Sequence, residues 1–316
     1  MRVVTADEID GLLTYPALID ALAQAFTAGF HAPHRHHHEI AARAGVAPAT
    51  ALLMPAWTDG APGEGAFLGV KIVTVFPDNG ALGLPAIQGV YLLQDGRTGA
   101  PLALMDGKRL TVWRTACASA LAARALARKD ASTLALIGAG ALAPFLARAH
   151  AAVRPIRKVT IWNRSAQGAQ ALARALSDMF DVTVAADPEQ AVAGADVISC
   201  ATLSRAPIVR GAWLKSGQHL DLVGAFNLSM READDEALRR ARVFVDTDGA
   251  LSEGGDVAVA IREGGFAAER VEGDLASISR GEAGRRSDEE ITLFKSVGAS
   301  VEDLAAAMLV WRRLSA

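Results

Sequence analysis

Residues 134–153 constrain the fold of this chain more than any other segment. Residues 134–137 (LALI) form a continuous apolar run, which is typical of a strand buried on both faces of a parallel sheet. Residues 138–143 (GAGALA) follow directly and fit the pattern G-x-G-x-x-G/A, and an Ala-rich helical segment comes next. A glycine pattern between a strand and a helix is typical of a dinucleotide-binding βαβ unit. A tight turn without a ligand is the alternative.

Each small residue of this pattern has a physical role in nucleotide binding. Gly138 allows the tight turn after the strand, and Gly140 lets the main chain approach a pyrophosphate. Ala143 is small enough for the helix to pack closely on the sheet, and the amides near Leu142 face the phosphates. We therefore predict that Gly138, Gly140, Leu142 and Ala143 bind the cofactor.

Strand-like and helical segments continue to alternate after this unit, which indicates a doubly wound sheet. Residues 299–314 form an amphipathic helical pattern at the end of the chain, and we expect this helix to return to the first domain. The predicted fold is therefore α/β. A Rossmann-type parallel sheet occupies residues 129–289, and a discontinuous α/β domain is formed by residues 1–128 with 290–316.

The second strand of the βαβ unit ends in Asn163-Arg164-Ser165. Enzymes that use NAD usually carry an acid near this position, which holds the ribose 2′-hydroxyl. An arginine with hydroxyl and amide neighbours suits a 2′-phosphate instead. The sequence therefore predicts NADP(H) as the preferred cofactor, with NAD(H) as the second option. A solvated surface arginine is the alternative for Arg164.

Composition excludes several classes of protein. A length of 316 residues suggests two domains, and a net charge of −3 lacks the basic excess of a nucleic-acid binder. Two cysteines, Cys117 and Cys200, exclude a disulfide framework. The N-terminus does not resemble a signal peptide, and no apolar run is long enough for a membrane span. We expect a cytoplasmic enzyme with no nucleic-acid or membrane partner.

Three cations of the first half are candidates for binding an anion. Lys71 lies inside an apolar strand-like run, where an unpaired charge is costly, so it needs an anionic partner from the protein or a ligand. Arg35 and Arg114 can bind a carboxylate through two hydrogen bonds, although surface or salt-bridge roles are the alternatives.

Five histidines between residues 31 and 38 suggest a metal, but an exposed polar strand explains them as well. We predict no metal site.

Motifs spread over nearly the whole chain resemble those of the ornithine cyclodeaminase/mu-crystallin family, in the family's order. They are residues 52–56 (LLMPA), 69–71 (GVK), 105–107 (MDG), 110–116 (LTVWRTA), 137–140 (IGAG), 162–164 (WNR), 195–198 (ADVI) and 294–296 (FKS). Further stretches resemble the bacterial Δ1-pyrroline-2-carboxylate reductase branch of that family. They are residues 85–91 (PAIQGVY), 223–226 (VGAF), 230–232 (MRE) and 288–297.

The resemblance implies roles for the candidate residues. The cations Arg35, Lys71 and Arg114 would bind the carboxylate of an imino or amino acid, with Lys71 and Arg114 as catalytic residues and Arg114 also near the cofactor. The first domain would bind substrate and form a homodimer. Further cofactor contacts are expected at Ala86, Gln88, Asn163, Arg164, Ser165, Thr202, Leu203, Val223, Ala225 and Ser296.

The activity implied is that of an NAD(P)H-dependent ketimine reductase. Such an enzyme reduces Δ1-pyrroline-2-carboxylate to L-proline, or Δ1-piperideine-2-carboxylate to L-pipecolate. Three alternatives remain: an ornithine cyclodeaminase, an amino-acid dehydrogenase similar to alanine dehydrogenase, and a binding protein without catalysis.

One position departs from the cyclodeaminases of the family. They carry an aspartate soon after the V-G-G string, where this chain has Phe226. A phenyl ring cannot activate the δ-amine of ornithine, so the residue disfavours cyclodeamination. We expect Phe226 to pack near the substrate ring instead.

Overall fold

The computed structural model of this chain describes residues 1–40, 47–60 and 65–315. They form two compact units. The first unit contains Met1–Arg114 and Ala299–Ala316, and the second unit contains Thr115–Gly298. The division between them after residue 114 falls inside one long helix.

The first unit is built around a six-stranded sheet. Its elements in the first part of the chain are β1 (Arg2–Val4), α1 (Ala6–Leu12), α2 (Tyr15–Ala28), β2 (His36–Ile40), β3 (Ala49–Trp57), β4 (Phe67–Val75), β5 (Ile87–Asp95), β6 (Pro101–Asp106) and α3 (Gly107–Leu126), which continues into the second unit. The strand order is β1-β6-β5-β4-β3-β2, with β1 parallel to β6 and the other neighbours antiparallel.

The second unit is a parallel sheet of eight strands with helices between them. Its elements are β7 (Thr133–Ile137), α4 (Ala143–Val153), β8 (Lys158–Trp162), α5 (Ala166–Leu176), β9 (Asp181–Val184), α6 (Pro188–Ala193), β10 (Val197–Cys200), β11 (His219–Leu222), α7 (Asp235–Arg240), β12 (Arg242–Val245), α8 (Gly255–Arg262), β13 (Val271–Asp274), α9 (Leu275–Ser279) and β14 (Thr292–Lys295). The strand order is β13-β12-β14-β11-β10-β7-β8-β9, so the chain begins at β7 inside the sheet and extends to both edges, as in a doubly wound fold. The predicted fold class is therefore confirmed.

The last helix, α10 (Ser300–Leu314), completes the first unit. It packs on α2 and across β3, β4 and β5. Its apolar side chains Val301, Leu304 and Val310 are buried there. Burial of this apolar face explains why a helix near the end of the chain joins strands from its beginning.

The structure places the domain boundaries differently from the sequence prediction. The predicted first domain included residues 115–128 and 290–298, which belong to the second unit. Strand β14 is the reason, because it pairs with β11 on one side and β12 on the other. All four of its residues are buried, so the second sheet would lose a central strand without it.

Across the ranges that the structure describes, none of the helices combines the length and apolar character needed to cross a bilayer.

Candidate functional site

Lys71 finds its anionic partner within the first unit. It lies on β4 with only 2% of its surface exposed, and its Nζ is 2.7 Å from Oδ2 of Asp303. Asp303 is fully buried in the first turn of α10. The positive end of the helix dipole favours an acid at this position. The charge of Lys71 is therefore compensated inside the protein by a residue from the far end of the chain.

Arg114 joins the same cluster through two carboxylates. Its Nε is 3.1 Å from Oδ1 of Asp303, and its Nη1 is 2.6 Å from Oε2 of Glu302. Asp303 therefore bridges the two cations, one oxygen to each. The four side chains Lys71, Arg114, Glu302 and Asp303, which we call the anchor cluster, hold two positive and two negative charges when all are ionised. Such a fixed arrangement orients both cations without leaving a net buried charge.

Burial sets the proton affinity of the anchor cluster. Burial and the positive charge of Arg114 together lower the pKa of Lys71 to about 8, against the opposing effect of Asp303. A lysine with this pKa is mostly protonated at pH 7 and can release its proton to a neighbouring base. The cluster can therefore bind an anion and supply a proton.

Tyr91 lies beside the anchor cluster and was not identified from the sequence. It pairs with Lys71 across β4 and β5 and is fully buried. Gly69 makes room for its ring, because a Cβ at that position would be 1.9 Å from the Tyr91 hydroxyl. Burial, with a contribution from Asp303, raises the pKa of Tyr91, so the hydroxyl stays protonated. The geometry keeps a neutral hydroxyl group near the two cations.

The other predicted residues of the first unit lie further along its loops and strands. Arg35 precedes β2 and is partly exposed, and its grouping with Lys71 and Arg114 stays a prediction. Ala86 lies just before β5, where its carbonyl accepts a hydrogen bond from the amide of Phe76 at 2.8 Å. Gln88 is exposed near the start of β5. Their cofactor contacts also stay predictions.

The glycine loop of the second unit has the geometry that the sequence predicts. Gly138 has a φ of +110°, and a Cβ there would be 2.7 Å from the carbonyl oxygen of Ala201, so both the backbone angle and the space require glycine. A Cβ on Gly140 would meet no atom within 4 Å, so this side of the loop is open. Ala143 is buried at the start of α4, and Leu142 before it provides no side-chain cap. This combination fits a bound pyrophosphate.

Residues after four adjacent strands meet at one edge of the second sheet. Gly138 follows β7, Thr202 follows β10, Val223 follows β11 and Ser296 follows β14, and these strands are neighbours in the order β14-β11-β10-β7. The carboxyl edge of a parallel sheet is where dinucleotides bind in doubly wound folds. The predicted cofactor residues of this unit are therefore brought together by the sheet topology.

The three residues after β8 have different surroundings. Asn163 accepts a hydrogen bond from the amide of Ala139 through Oδ1 at 3.2 Å and donates through Nδ2 to the carbonyl of Ser165 at 3.0 Å. Ser165 caps α5, because its Oγ accepts from the amide of Gly168. Arg164 is exposed. Asn163 therefore fixes the glycine loop through its hydrogen bond with Ala139. Arg164 presents its cationic side chain to solvent.

Glu232 organises the loops at this sheet edge. Its Oε1 accepts hydrogen bonds from the amide and hydroxyl of Thr202 at 2.6 and 2.9 Å. Its Oε2 accepts from the amides of Gly224 at 2.7 Å and Ala225 at 3.3 Å. One buried carboxylate thereby fixes both the segment after β10 and the segment after β11.

The side chain of Asp256, paired with Lys295, fixes the main chain at Glu232. Oδ1 of Asp256 accepts from the amides of Glu232 and Ala233 at 2.7 and 3.0 Å. Oδ2 of Asp256 is 3.2 Å from Nζ of Lys295, which also donates to the carbonyl of Leu222 at 3.3 Å. Lys295 and Asp256 are both fully buried, so this network is a fixed part of the unit.

The protonation of Glu232 predicts a pH effect on stability. Burial and the neighbouring Asp256 raise the pKa of Glu232 from 4.5 to about 7, against the opposing effect of Lys295. Between these values the folded protein binds a proton that the unfolded chain does not, so this stabilisation is complete below pH 4.5 and is lost as the pH rises through 7. We expect Glu232→Gln to reduce the fall in Tm between pH 5 and 7.5, measured by thermal unfolding.

The control for this prediction is Glu189→Gln, which changes an exposed acid in the first turn of α6. It should keep the pH dependence of the unaltered protein. An identical slope in the Glu232 variant and in the unaltered protein would contradict the proton affinity assigned to Glu232.

Leu203 and Phe226 are exposed side chains of the same sheet edge. Leu203 is the more exposed of the two, and Phe226 exposes 39% of its surface. The Phe226 amide donates to the carbonyl of Gly224, which closes a tight turn. Val223, Ala225 and Ser296 are buried beneath this edge. Phe226 is therefore accessible at this edge, and its contact with substrate stays a prediction.

Sequence reasoning missed the carboxylates that position the candidate residues. Glu302 and Asp303 stand among small and apolar residues in the last helix, and that context was the available signal for their burial. Glu232 belongs to a recognised motif, but its four hydrogen bonds come from residues up to 30 positions away. Such contacts are set by the tertiary fold and leave no local pattern.

The histidine-rich segment forms the exposed strand β2. The rings of His36 and His38 lie 6.5 Å apart on one face of it, and His31 pairs with Asp59 at 2.8 Å. Within residues 1–40, 47–60 and 65–315, no three His, Cys, Asp or Glu side chains are grouped as ligands for a metal ion.

Comparison with known proteins identifies relatives over the whole chain. The chain matches the ornithine cyclodeaminase/mu-crystallin family model over residues 2–316. It is 36% identical to a Δ1-pyrroline-2-carboxylate reductase of Colwellia psychrerythraea over the full length of both chains.

Several solved structures are similar to the chain over its whole length. The Thermococcus litoralis Δ1-pyrroline-2-carboxylate reductase, in complex with NADH and L-proline, has a TM-score of 0.92 at 32% identity and is covered to 98%. An archaeal alanine dehydrogenase dimer with bound NAD has a TM-score of 0.91 at 30% identity and is covered to 96%.

Proposed function

This chain belongs to the ornithine cyclodeaminase/mu-crystallin family, and on that premise we propose that it reduces a cyclic ketimine acid with NADPH. It is a nicotinamide-dependent oxidoreductase acting on carbon–nitrogen double bonds. The proposed substrates are Δ1-pyrroline-2-carboxylate, which gives L-proline, and Δ1-piperideine-2-carboxylate, which gives L-pipecolate. The observation that carries the proposal is the pair of buried cations Lys71 and Arg114, both held by Asp303.

The anchor cluster suits a small carboxylate. The Lys71 ammonium has three N–H donors, and its ion pair within the described ranges is with Asp303. Donors therefore remain for a ligand oxygen. The Arg114 guanidinium is fixed in orientation by Glu302 and Asp303, and a planar guanidinium matches the geometry of a carboxylate. Fixing the acid in one orientation lowers the entropic part of the barrier to reduction.

Lys71 is the proposed proton donor. Reduction forms a C–H bond at the imine carbon and an N–H bond at the imine nitrogen, so one hydride and one proton are consumed. The bound nicotinamide nucleotide supplies the hydride. With a pKa lowered to about 8, Lys71 is charged at neutral pH yet weak enough in proton affinity to give its proton to the imine nitrogen.

NADPH preference rests on Arg164. The glycine loop fits a dinucleotide in general, and the exposed guanidinium after β8 suits a 2′-phosphate. We expect Arg164→Ala to raise the KM for NADPH about 10-fold and to leave the KM for NADH within about 2-fold, since one charge-assisted contact contributes about 1.5 kcal/mol. Steady-state kinetics with both nucleotides measures this. Equal changes for the two nucleotides would contradict the assignment.

Cyclodeamination of ornithine is disfavoured by the residues after β11. Phe226 stands where an acid is needed, and Asn227 next to it accepts hydrogen bonds from Ser229. The next carboxylate, Glu232, is fully buried and accepts four hydrogen bonds. This segment therefore offers no carboxylate to activate the δ-amine.

A steady-state panel tests the proposal. Purified protein is given each imino acid with NADPH and with NADH, and oxidation is followed by nicotinamide absorbance. Oxidation of NADPH with either imino acid, faster than with NADH, is the expected result. Absence of oxidation with both imino acids and both nucleotides would end the proposal. Release of ammonia from ornithine without net nucleotide turnover would favour a cyclodeaminase.

An amino-acid dehydrogenase is the second candidate, because the chain is also similar to the archaeal alanine dehydrogenase. Pyruvate and ammonia form a linear imine with the same carboxylate that the anchor cluster would bind. Adding pyruvate with ammonia to the same panel distinguishes the two activities. Turnover with this mixture but not with the cyclic imino acids would favour the dehydrogenase.

We also propose that the first unit binds the substrate and forms a homodimer. Ile72 and Val90 are paired across β4 and β5, on the face opposite Lys71 and Tyr91, and each exposes 38% of its surface. An apolar sheet face of this kind is typical of an interface. We expect a dimer by light scattering, and Ile72→Asp with Val90→Asp should shift it to monomer. A monomer in the unaltered protein would contradict the prediction.

A further inference from the structure

A cationic cavity lies in the second unit, away from the glycine loop. It has a volume of about 420 Å³ and is formed where α3 and α4 end and by the segment before β14. Two acids, Asp130 and Asp288, face six cations in its lining. The cations are Arg124, Arg128, Lys129, Arg154, Arg285 and Arg286. The glycine loop lies at the opposite end of α4, whose 11 residues span about 16 Å.

Arg154 is the buried centre of this lining. It is 9% exposed and donates to the main-chain carbonyls of Arg124 at 2.6 Å, Ala127 at 2.8 Å and Val153 at 2.6 Å. Its Nε has no hydrogen-bond partner among the residues that the structure describes. Carbonyl oxygens satisfy the N–H groups but carry no net charge, so the charge of Arg154 is not neutralised by them.

Arg285 has similar surroundings. It donates to the carbonyls of Leu126 at 2.6 Å and Glu290 at 2.7 Å, and to the Thr292 hydroxyl at 3.2 Å. Across the described ranges neither Arg154 nor Arg285 has a carboxylate within ion-pair distance. Arg128, by contrast, pairs with Asp130 and Asp196, and Arg286 pairs with Glu272.

Burial and neighbouring cations of the lining lower the pKa of Arg154 and of Arg285. Burial lowers the pKa of Arg154, and Arg124 contributes to this effect. Burial also lowers the pKa of Arg285, with contributions from Arg128 and Arg154 that Glu290 and Asp288 oppose at longer range. The carboxyl ends of α3 and α4 supply about half a negative charge each, which is less than the two unit charges of Arg154 and Arg285.

We propose that this cavity binds a small phosphate-bearing anion at a site separate from the catalytic residues. Several guanidinium groups around one space match the oxygens of a phosphate, which accepts paired N–H donors. The volume is within the range of small-molecule sites, so a phosphate with a small organic group fits. The bound anion would neutralise Arg154 and Arg285 and stabilise the second unit.

Thermal unfolding of the full chain tests the proposal at constant ionic strength. The background variant is Arg164→Ala, which removes the proposed 2′-phosphate contact. Binding of a probe at the glycine loop is distinguished from binding at the cavity by variants of the cavity lining. The probes are orthophosphate and pyrophosphate, with chloride as the reference. We expect an increase in Tm of about 2–4 °C with at least one probe, as a ligand binding the folded state gives.

Paired variants locate the effect. Arg124→Ala with Arg286→Ala removes two exposed cations of the lining and keeps the buried Arg154 and the half-buried Arg285. It should weaken the affinity for the active probe about 10-fold or more in calorimetry, since each charge-assisted contact contributes about 1.5–3 kcal/mol. The matched control is Arg174→Ala with Arg262→Ala, which removes two exposed arginines elsewhere in the second unit.

The outcomes separate the sources of phosphate. Stabilisation by orthophosphate that the lining variant weakens supports an inorganic phosphate or phosphate monoester, and stabilisation by pyrophosphate alone, weakened in the same way, supports a diphosphate. Stabilisation that the lining variant leaves unchanged would assign the anion to the glycine loop and overturn the proposal. No stabilisation by either probe would overturn the proposal and leave the arginines as caps of the helix ends. An equal loss of affinity in the control variant would also overturn it. None of these results depends on the reductase activity.

Discussion

Replacing Lys71 by Met lowers kcat/KM for imino-acid reduction by about 10³-fold or more, while nucleotide binding is kept. The variant loses one of the two cations that would orient the carboxylate, and it loses the proposed proton donor. Orientation and proton transfer each contribute factors of this size. The glycine loop belongs to the second unit, so the Kd for NADPH should change less than about 2-fold. Kinetics and fluorescence titration measure the two quantities.

The control for this prediction is Lys108→Met, an exposed lysine in the first turn of α3. It should keep full activity. A Lys71→Met enzyme with more than about a tenth of normal kcat/KM would remove Lys71 from the mechanism. Loss of nucleotide binding together with activity would indicate misfolding instead, which thermal unfolding of the variant would reveal.

Replacing Asp303 by Asn destabilises the first unit by about 3–5 kcal/mol, because it leaves Lys71 and Arg114 buried without their shared carboxylate. Asp303 also raises the pKa of Lys71, so its loss should lower that pKa further below about 8. If Lys71 acts in its protonated form, the fall in activity on the alkaline side begins at lower pH in the variant. Urea unfolding and a pH–rate profile measure the two effects.

Two further variants separate the ion pairs from a general effect of the substitution. Asp7→Asn changes an exposed acid in the first turn of α1 and should cost less than about 1 kcal/mol. Combining Lys71→Met with Asp303→Asn removes both members of one pair and should recover part of the lost stability. Simple additivity of the two changes would show that Lys71 and Asp303 are not coupled.

The local structure around the glycine loop was predictable from the sequence. The apolar run of β7, the glycine loop and α4 follow one another directly, and each signal depends on neighbouring residues. Gly138 illustrates this, because its positive φ is the reason that glycine is required there. The family, the fold class and the nicotinamide cofactor followed from such motifs.

The boundary between the two units was not predictable in the same way. Residues 290–298 precede the last helix, and their apolar character suits either unit. The pairing of β14 with β11 and β12 assigns these residues to the second unit. Both partner strands lie tens of residues earlier in the chain. A short buried strand carries no mark of which sheet it joins.

The sequence by itself determined which chemical groups this protein has: a glycine-rich turn after a buried strand, and a lysine in an apolar strand that had to meet a negative charge. Only the tertiary structure decided which charge that is. Asp303 reaches Arg114 across 189 positions of the chain and also contacts Lys71. The physical reason is that backbone conformation responds to neighbouring residues, whereas the pairing of buried charges depends on which helices and strands pack together.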